Sequence, residues 1–176
     1  RSTRLDLYLL GLLLLVVLVA QVKWTSGITS DGALYFAHLR SLVFDHDLQI
    51  DPELRALGLP PRPHHVIPIG PSIIWAPAYL LVALADWAGA AAGLHARPRD
   101  VSLGLIGPYV QAALLSSFAL AALGLIVLHL RLRREFGGGI AFLTSMLLVG
   151  ATTLAWYVIA EPSMTHAASF GIVALA

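Results

Sequence analysis

The sequence contains no cysteine, which excludes disulfide bonds and thiolate metal sites from this chain. Charged residues are also scarce, at 12% of the chain, whereas soluble domains carry about 25%. The net charge of +1 and the lack of a basic stripe argue against a nucleic-acid partner. Hydrophobic residues make up 58% of the 176 residues, which is more apolar surface than a soluble fold of this size can bury. The composition therefore predicts an all-α integral membrane protein.

Several apolar segments are long enough to cross a bilayer, which needs about 20 apolar residues in a helix. The first segment ends at Lys23 and Trp24, which are typical interfacial anchors, and it is longer than the apolar part of a signal peptide. The sequence ends inside an apolar run, so we expect it to be a fragment of a longer protein. We predict spans over residues 5–23, 103–131 and 139–160, and the start of another over 162–176.

Residues 24–102 separate the first two predicted spans and are predicted to form one large loop. Within it, a helix is predicted over 30–44, with Thr29, Ser30 or Asp31 as the capping residue. Its apolar residues follow one stripe, which is typical of a short amphipathic helix lying along a membrane surface.

Residues 69–94 are apolar enough to span the membrane, but two prolines, several glycines and Asp86 interrupt them. The dense arginine cluster at 131–134 is expected to be cytoplasmic. If 69–94 stays on one side as a juxtamembrane or re-entrant helix, Arg1 and Arg4 are also cytoplasmic and the large loop is external. If 69–94 crosses, the N-terminus is external instead. Charge counting leaves both orientations open.

The side chains capable of acid–base chemistry collect on one side in the first orientation. Ionisable groups at a membrane edge are costly and often functional. Asp31, Tyr35 and His38 are spaced i, i+4, i+7, which places them on one helix face. Purely structural roles are the alternative. In that interpretation Asp31 is a carboxylate favoured at a helix start, Glu161 ends a helix, and His166 is hydrogen-bonded to a neighbouring helix. The group comprises Asp31, His38, Asp45, His64, His65, Glu161 and His166.

Metal-binding patterns are weak in this sequence. Residues 45–47 have the D-x-D form, but the enzymes that use it for a metal set it in an α/β domain. Gln49 and Ile50 stand where a calcium-binding loop requires an oxygen ligand and a glycine. His64 and His65 lie in a proline-rich loop, where adjacent histidines are usually solvated. No cofactor is predicted with certainty, and dependence on a divalent metal is left open.

The order of these features resembles the N-terminal part of the GT-C superfamily of membrane glycosyltransferases, which includes protein O-mannosyltransferases and lipid A aminoarabinose transferases (family 39-like). Members share a first span, a large external loop that starts with an acidic residue and carries juxtamembrane helices, and two further spans joined by a short basic turn. The resemblance covers nearly the whole chain, about the first third of such an enzyme, with degenerate motifs. The matching segments are 5–22, 30–36 (SDGALYF), 68–79 (PIGPSIIWAPAY), 131–137 (RLRREFG) and 156–166 (WYVIAEPSMTH).

The resemblance implies a GT-C-like helical module in a bacterial inner (plasma) membrane, with its active site on the external face. It implies transfer of a sugar from a polyprenyl-phosphate donor, with Asp31 as the general base on the acceptor hydroxyl and inversion at the anomeric carbon. Many members carry a second acid directly after the first, where this sequence has Gly32. Glu161 is predicted to supply the second carboxylate, and His166 is predicted as a further catalytic residue. The predicted substrate-binding residues are Tyr35, His38, Arg40, His64 and His65.

The alternative is a non-catalytic multi-span membrane protein, such as part of a transporter or an assembly subunit. A transporter is expected to have broken helices near the middle of the bilayer with polar groups facing each other there. In this sequence the polar groups lie mainly at one edge of the predicted spans, which favours the enzyme. The predicted partners are the polyprenyl-phosphate sugar donor and membrane lipid.

Overall fold

The computed structural model describes residues 4–25, 27–60, 69–96, 102–105 and 107–176. Within these ranges all regular structure is helical. The elements are α1 Leu5–Trp24, α2 Ser30–Arg40, a π-helical turn Ser41–Asp45, α3 Asp51–Ala56, α4 Gly70–Ala91, α5 Pro108–Phe136, α6 Gly138–Gly150, α7 Leu154–Ile159 and α8 Thr165–Leu175.

The chain divides into two compact units, each with its own core. The span unit comprises Arg1–Gly27 and Ser117–Ala176, and therefore contains α1, most of α5, and α6 to α8. The loop unit comprises Ile28–Ser116, and therefore contains α2, the π-helical turn, α3, α4 and the first turns of α5.

Three helices of the described ranges, α1, α4 and α5, are long and apolar enough to cross a membrane. Their most apolar windows have mean hydropathies of 2.5, 1.5 and 2.2, which confirms an all-α protein with membrane-type helices. Pro108 starts α5, since a proline at the first helical position loses no hydrogen bond. The helix ends before Gly137, whose φ of +84° is a conformation that glycine adopts easily.

Residues 139–160, predicted as one span, form two shorter helices in the structure. α6 ends at Gly150 and α7 begins at Leu154. The Thr152 hydroxyl donates to the Leu148 carbonyl and accepts a hydrogen bond from the Leu154 N–H at 3.1 Å. A threonine side chain that bonds nearby backbone in this way competes with the regular helix ladder, and the helix is interrupted there.

The loop unit is built around an aromatic cluster in which α2 is central. Phe36 of α2 meets Trp75 and Tyr79 of α4 edge to face, with ring centroids 6.5 and 5.7 Å apart. Tyr79 in turn lies 5.0 Å from Tyr109 of α5. Residues 32–37 of α2 are all buried, so this helix belongs to the core of its unit, and its position along a membrane surface stays a prediction. Aromatic pairs of this kind fix the position of the helix that carries them.

The span unit has an aliphatic core with an apolar exterior. Leu10 and Val17 of α1 pack with Leu125 of α5 and Val158 of α7. The other side of α1 leaves large apolar side chains exposed, such as Leu15 at 55%. Apolar surface on both sides of a helix is typical of a segment that has lipid on one side and protein on the other.

Candidate functional site

Asp31 stands in the first turn of α2, where its side chain is exposed. The chain enters this helix through Ser30, whose φ of +49° is rare for a residue with a side chain. One turn further on, Tyr35 is buried. Burial raises the pKa of the Tyr35 phenol, and the nearby charge of Asp31 raises it further. Asp31 and Tyr35 therefore share one face of α2, as their spacing predicts.

His38 continues the same face of α2 and is half-buried. Its Nδ1 lies 2.8 Å from the carbonyl oxygen of Leu34, which can only accept, so Nδ1 carries the hydrogen. In the neutral ring Nε2 is then the acceptor nitrogen. A carboxylate, a phenol and an imidazole thus follow one another along one face of α2, and Tyr35 of this face also packs in the aromatic core, edge to face with Trp75.

Arg40 ends α2 and is 4% exposed. Its guanidinium pairs with Glu53 Oε1 at 2.8 Å and with the Asp45 carboxylate, while its Nε donates to the Leu103 carbonyl at 3.1 Å. The Phe44 ring covers the guanidinium, with its centroid 5.6 Å away. All of these contacts are with protein groups, so Arg40, predicted to bind substrate, joins several parts of the loop unit.

Glu53 is the residue that sequence analysis did not single out. It follows Pro52 in the first turn of α3 and is fully buried. Burial raises the pKa of Glu53; the hydrogen bond from Arg40 opposes this shift, and the neighbouring Asp45 adds to it. Its Oε2 atom is buried and has no hydrogen-bond partner among the described residues. The local sequence shows only an acid at a helix start, which is usually solvated.

The two acids of the D-x-D pattern take part in local structure. Asp45 pairs with Arg40, as described above. Asp47 accepts hydrogen bonds from the Ser41 hydroxyl at 2.6 Å and the Gln49 N–H at 3.0 Å, and these bonds lower the pKa of Asp47. In the described part of the chain, no three His, Asp or Glu side chains are grouped as a metal site requires. The predicted substrate-binding residues His64 and His65 lie outside the described residues.

Glu161 and His166 lie on either side of the corner between α7 and α8, in the span unit. The N–H of Glu161 donates to the Trp156 carbonyl at 3.1 Å, which closes the end of α7. The exposed His166 ring lies against the Tyr157 ring, with centroids 4.1 Å apart. Asp31 belongs to the loop unit, and its convergence with these two residues stays a prediction.

A buried polar cluster in the span unit was also missed from the sequence. Asp6 of α1 accepts a hydrogen bond from Arg133 Nε at 2.6 Å and lies 3.3 Å from His129 Nε2. His129 Nδ1 lies 3.1 Å from the Ser145 hydroxyl of α6, which donates to Ala141. The start of α1, the end of α5 and the start of α6 therefore meet. The i, i+4 spacing of His129 and Arg133 places them on one face of α5 but does not indicate Asp6 as their partner.

A cavity of about 520 Å³ lies in the loop unit. Arg40 and Tyr79 hold one wall of it, since they donate to the carbonyls of Leu103 and Gly104, the latter at 2.7 Å. Its volume falls within the range of about 300–1,000 Å³ that is typical of ligand sites. Its lining is mainly apolar and includes Val82, Ala85, Asp86, His95, Gly104 and Tyr109.

No protein family, curated protein or solved structure matches this chain.

Proposed function

We propose that this chain is the N-terminal membrane module of a glycosyltransferase that moves a sugar from a polyprenyl-phosphate donor to an acceptor on the external face of a bacterial inner membrane. The observation that carries this proposal is the exposed Asp31 carboxylate at the start of a helix fixed in an aromatic core. Asp31 removes the proton of the acceptor hydroxyl while that oxygen attacks the anomeric carbon. The bond from this carbon to the phosphate oxygen breaks, and the lipid phosphate leaves with the electron pair.

The contact between Asp6 and Arg133 supports the orientation that this reaction needs. It joins the start of α1 to the end of α5. If both helices cross the bilayer, α1 ends on the opposite side of it and α5 begins on that same side. The chain between them must then cross an even number of times. In the described part of this interval only α4 is long and apolar enough to cross, so one full crossing by α4 does not fit. This supports the orientation in which the loop predicted over residues 24–102 is external and the arginine-rich turn is cytoplasmic.

The other residues on the Asp31 face of α2 have roles that fit their environment. Tyr35 stays protonated, because burial and the charge of Asp31 both raise the pKa of its phenol. It can therefore donate a hydrogen bond to a sugar or acceptor oxygen. His38 offers its Nε2 as an acceptor. Glu161 and His166, at the α7–α8 corner of the span unit, stay predicted catalytic residues.

The interruption between α6 and α7 is the observation that favours the alternative, a transporter part. Broken helices in transporters bind ions or substrates with charged or polar groups and half-helix ends. Residues 138–160 contain no Asp, Glu, Lys, Arg or His, and the Thr152 hydroxyl at the break is bonded to its own helix. The break therefore lacks the charged side chains that would couple transport to an ion, and the transferase is the better supported function.

The test is the variant Asp31→Asn in the full-length protein. Membranes that contain it are supplied with a panel of polyprenyl-phosphate sugars, and sugar transfer is measured. We expect a loss of about 10²-fold or more, the typical contribution of a general base. Asp51→Asn is the matched control, because Asp51 also stands in the first turn of a helix in the loop unit. Retained transfer in Asp31→Asn, or an equal loss in both variants, would show that Asp31 is not the base.

A further inference from the structure

Three arginines are exposed at one end of the span unit. Arg131 and Arg134 lie in the last two turns of α5, three positions apart, so they share a face of the helix. Arg4 immediately precedes α1 and stands two positions before Asp6. The hydrogen bond from Arg133 to Asp6 joins the start of α1 to the end of α5, so Arg4 lies at the same end of the unit as the other two. Arg4, Arg131 and Arg134 together form the basic surface.

The charge of the basic surface is not balanced by the described residues. Asp6 is paired with Arg133, which is not part of this surface. Within the described ranges, no hydrogen bond or ion pair joins a guanidinium group of the basic surface to a carboxylate. Glu135 is the nearest acid along α5 and is exposed, four positions after Arg131. One carboxylate offsets one of three positive charges, so a net positive charge remains.

The length of α5 brings this charge to the level of lipid headgroups if the helix crosses a bilayer. The 29 residues of α5 span about 43 Å at about 1.5 Å per residue, whereas a hydrocarbon core is about 30 Å thick. The apolar run of the helix ends at Leu130, so the arginines belong to the part that extends beyond the hydrocarbon. Tyr8 and Phe136, in the adjoining turns, are also exposed. Exposed aromatic rings next to basic residues are typical of the membrane interface.

We propose that the basic surface binds the phosphate of a phospholipid whose headgroup carries a net negative charge, such as phosphatidylglycerol. Each guanidinium group presents a planar fork of N–H donors that matches two phosphate oxygens. The Cβ atoms of Arg131 and Arg134 are about 5–6 Å apart at this spacing, so both side chains can contact one phosphate. Arg4 adds to the positive potential that attracts the headgroup.

The net charge of the headgroup decides which lipid is bound. Choline and ethanolamine headgroups carry an ammonium group, which the arginines repel, whereas a glycerol headgroup leaves the phosphate charge uncompensated. A basic residue near the headgroups increases the binding of anionic lipid by about fivefold. Phe136 and Tyr8 are placed to contact the glycerol and the upper part of the acyl chains. This binding does not depend on the proposed sugar transfer.

Lipid retention by the purified full-length protein tests the headgroup. The protein is equilibrated in detergent with equal amounts of dioleoyl-phosphatidylglycerol and dioleoyl-phosphatidylcholine, purified again, and its bound lipids are counted by mass spectrometry. We expect the glycerol lipid to exceed the choline lipid by about fivefold to twentyfold, as two net positive charges predict. Raising the salt from about 0.1 M to about 1 M should remove most of this preference, because the screening length falls from about 10 Å to about 3 Å.

Three variants assign the preference to the basic surface. The double variant Arg131→Gln, Arg134→Gln is expected to lower the preference by about fivefold or more. Arg55→Gln is the matched control, because Arg55 is also an exposed arginine in the last turn of a helix, α3 of the loop unit, and it should keep the preference. Glu135→Gln removes the opposing charge and should raise the preference by about twofold to fivefold, a gain that loss of structure cannot produce.

The proposal is overturned by equal retention of the two lipids by the unaltered protein. It is also overturned if the double variant keeps the full preference, or if Glu135→Gln shows no gain. Soluble glycerophosphoglycerol, added at the concentration of the lipid, should not displace it, because the soluble headgroup has no acyl chains to partition into the micelle. Displacement would show that the surface binds a free phosphate diester and not a membrane lipid.

The sugar-transfer assay is read separately, so each proposal can fail alone. Loss of lipid preference without loss of transfer leaves the role of Asp31 standing. Loss of transfer in Asp31→Asn with normal lipid retention concerns the transferase site only.

Discussion

Replacing Arg40 by methionine tests the buried ion pair that organises the loop unit. Methionine fills the space of the arginine stem but leaves Glu53, which is fully buried, without its cation. Removing one partner of a buried pair costs about 3–5 kcal/mol. We expect the low end, about 3 kcal/mol, because Asp45 is 40% exposed and stays hydrated, and because Glu53 can take up a proton. At about 2–4 °C per kcal/mol for a chain of this size, the melting temperature falls by about 6–12 °C.

The double variant Arg40→Met, Glu53→Leu separates the pair from its surroundings. Both charges are replaced by apolar groups of similar volume, an exchange that is often neutral or stabilising. We therefore expect the double variant to melt close to the unaltered protein, as followed by circular dichroism in detergent. The single variant Glu53→Leu is measured as well. If the decreases in melting temperature of Arg40→Met and Glu53→Leu instead add up in the double variant, Arg40 and Glu53 do not act as a pair and the reasoning is refuted.

Three further predictions concern stability. Because the pKa of Glu53 is raised in the folded protein, its contribution is present below the ordinary glutamate pKa of about 4.3 and is lost as the pH rises. The melting temperature of Glu53→Gln should therefore fall less between about pH 4 and about pH 7 than that of the unaltered protein, and equal slopes would contradict this. Asp6→Asn should lower the melting temperature more than Glu135→Gln, because Asp6 joins α1 to α5; equal effects would show that the contact is unimportant. Thr152→Val should cost about 1 kcal/mol in unfolding free energy, since the Leu154 N–H loses its acceptor; an unchanged value would mean that the hydroxyl does not stabilise the break.

The features that could be predicted from the sequence are those with local causes. Pro108 and Gly137 bound α5 because each acts on the adjacent turn only, although the predicted span, 103–131, begins and ends five residues earlier. The long apolar runs identify the membrane-type helices, because lipid tolerates apolar side chains all round a helix. The shared face of Asp31 and Tyr35 follows from their i, i+4 spacing alone.

The features that could not be predicted depend on contacts between distant residues. Asp6 and Arg133 are 127 positions apart, and no local pattern indicates that they meet. The burial of Glu53 likewise depends on where α3 packs, which its six residues do not encode alone. The interruption at Thr152 did have a local signal, in the hydroxyl groups of two adjacent threonines after Gly150. The apolar run around them predicts a continuous helix, and the local hydrogen bonds prevail.

The most direct test of the proposed orientation is cysteine labelling, since the chain has no cysteine of its own. Leu48→Cys places a thiol at an exposed position of the loop unit, and Arg131→Cys places one at the exposed end of α5. With a membrane-impermeant maleimide, we expect residue 48 to react in intact cells and residue 131 only after permeabilisation. If both residues react under the same condition, or in the reverse order, Asp31 does not face the external side and the proposed transfer reaction there is contradicted.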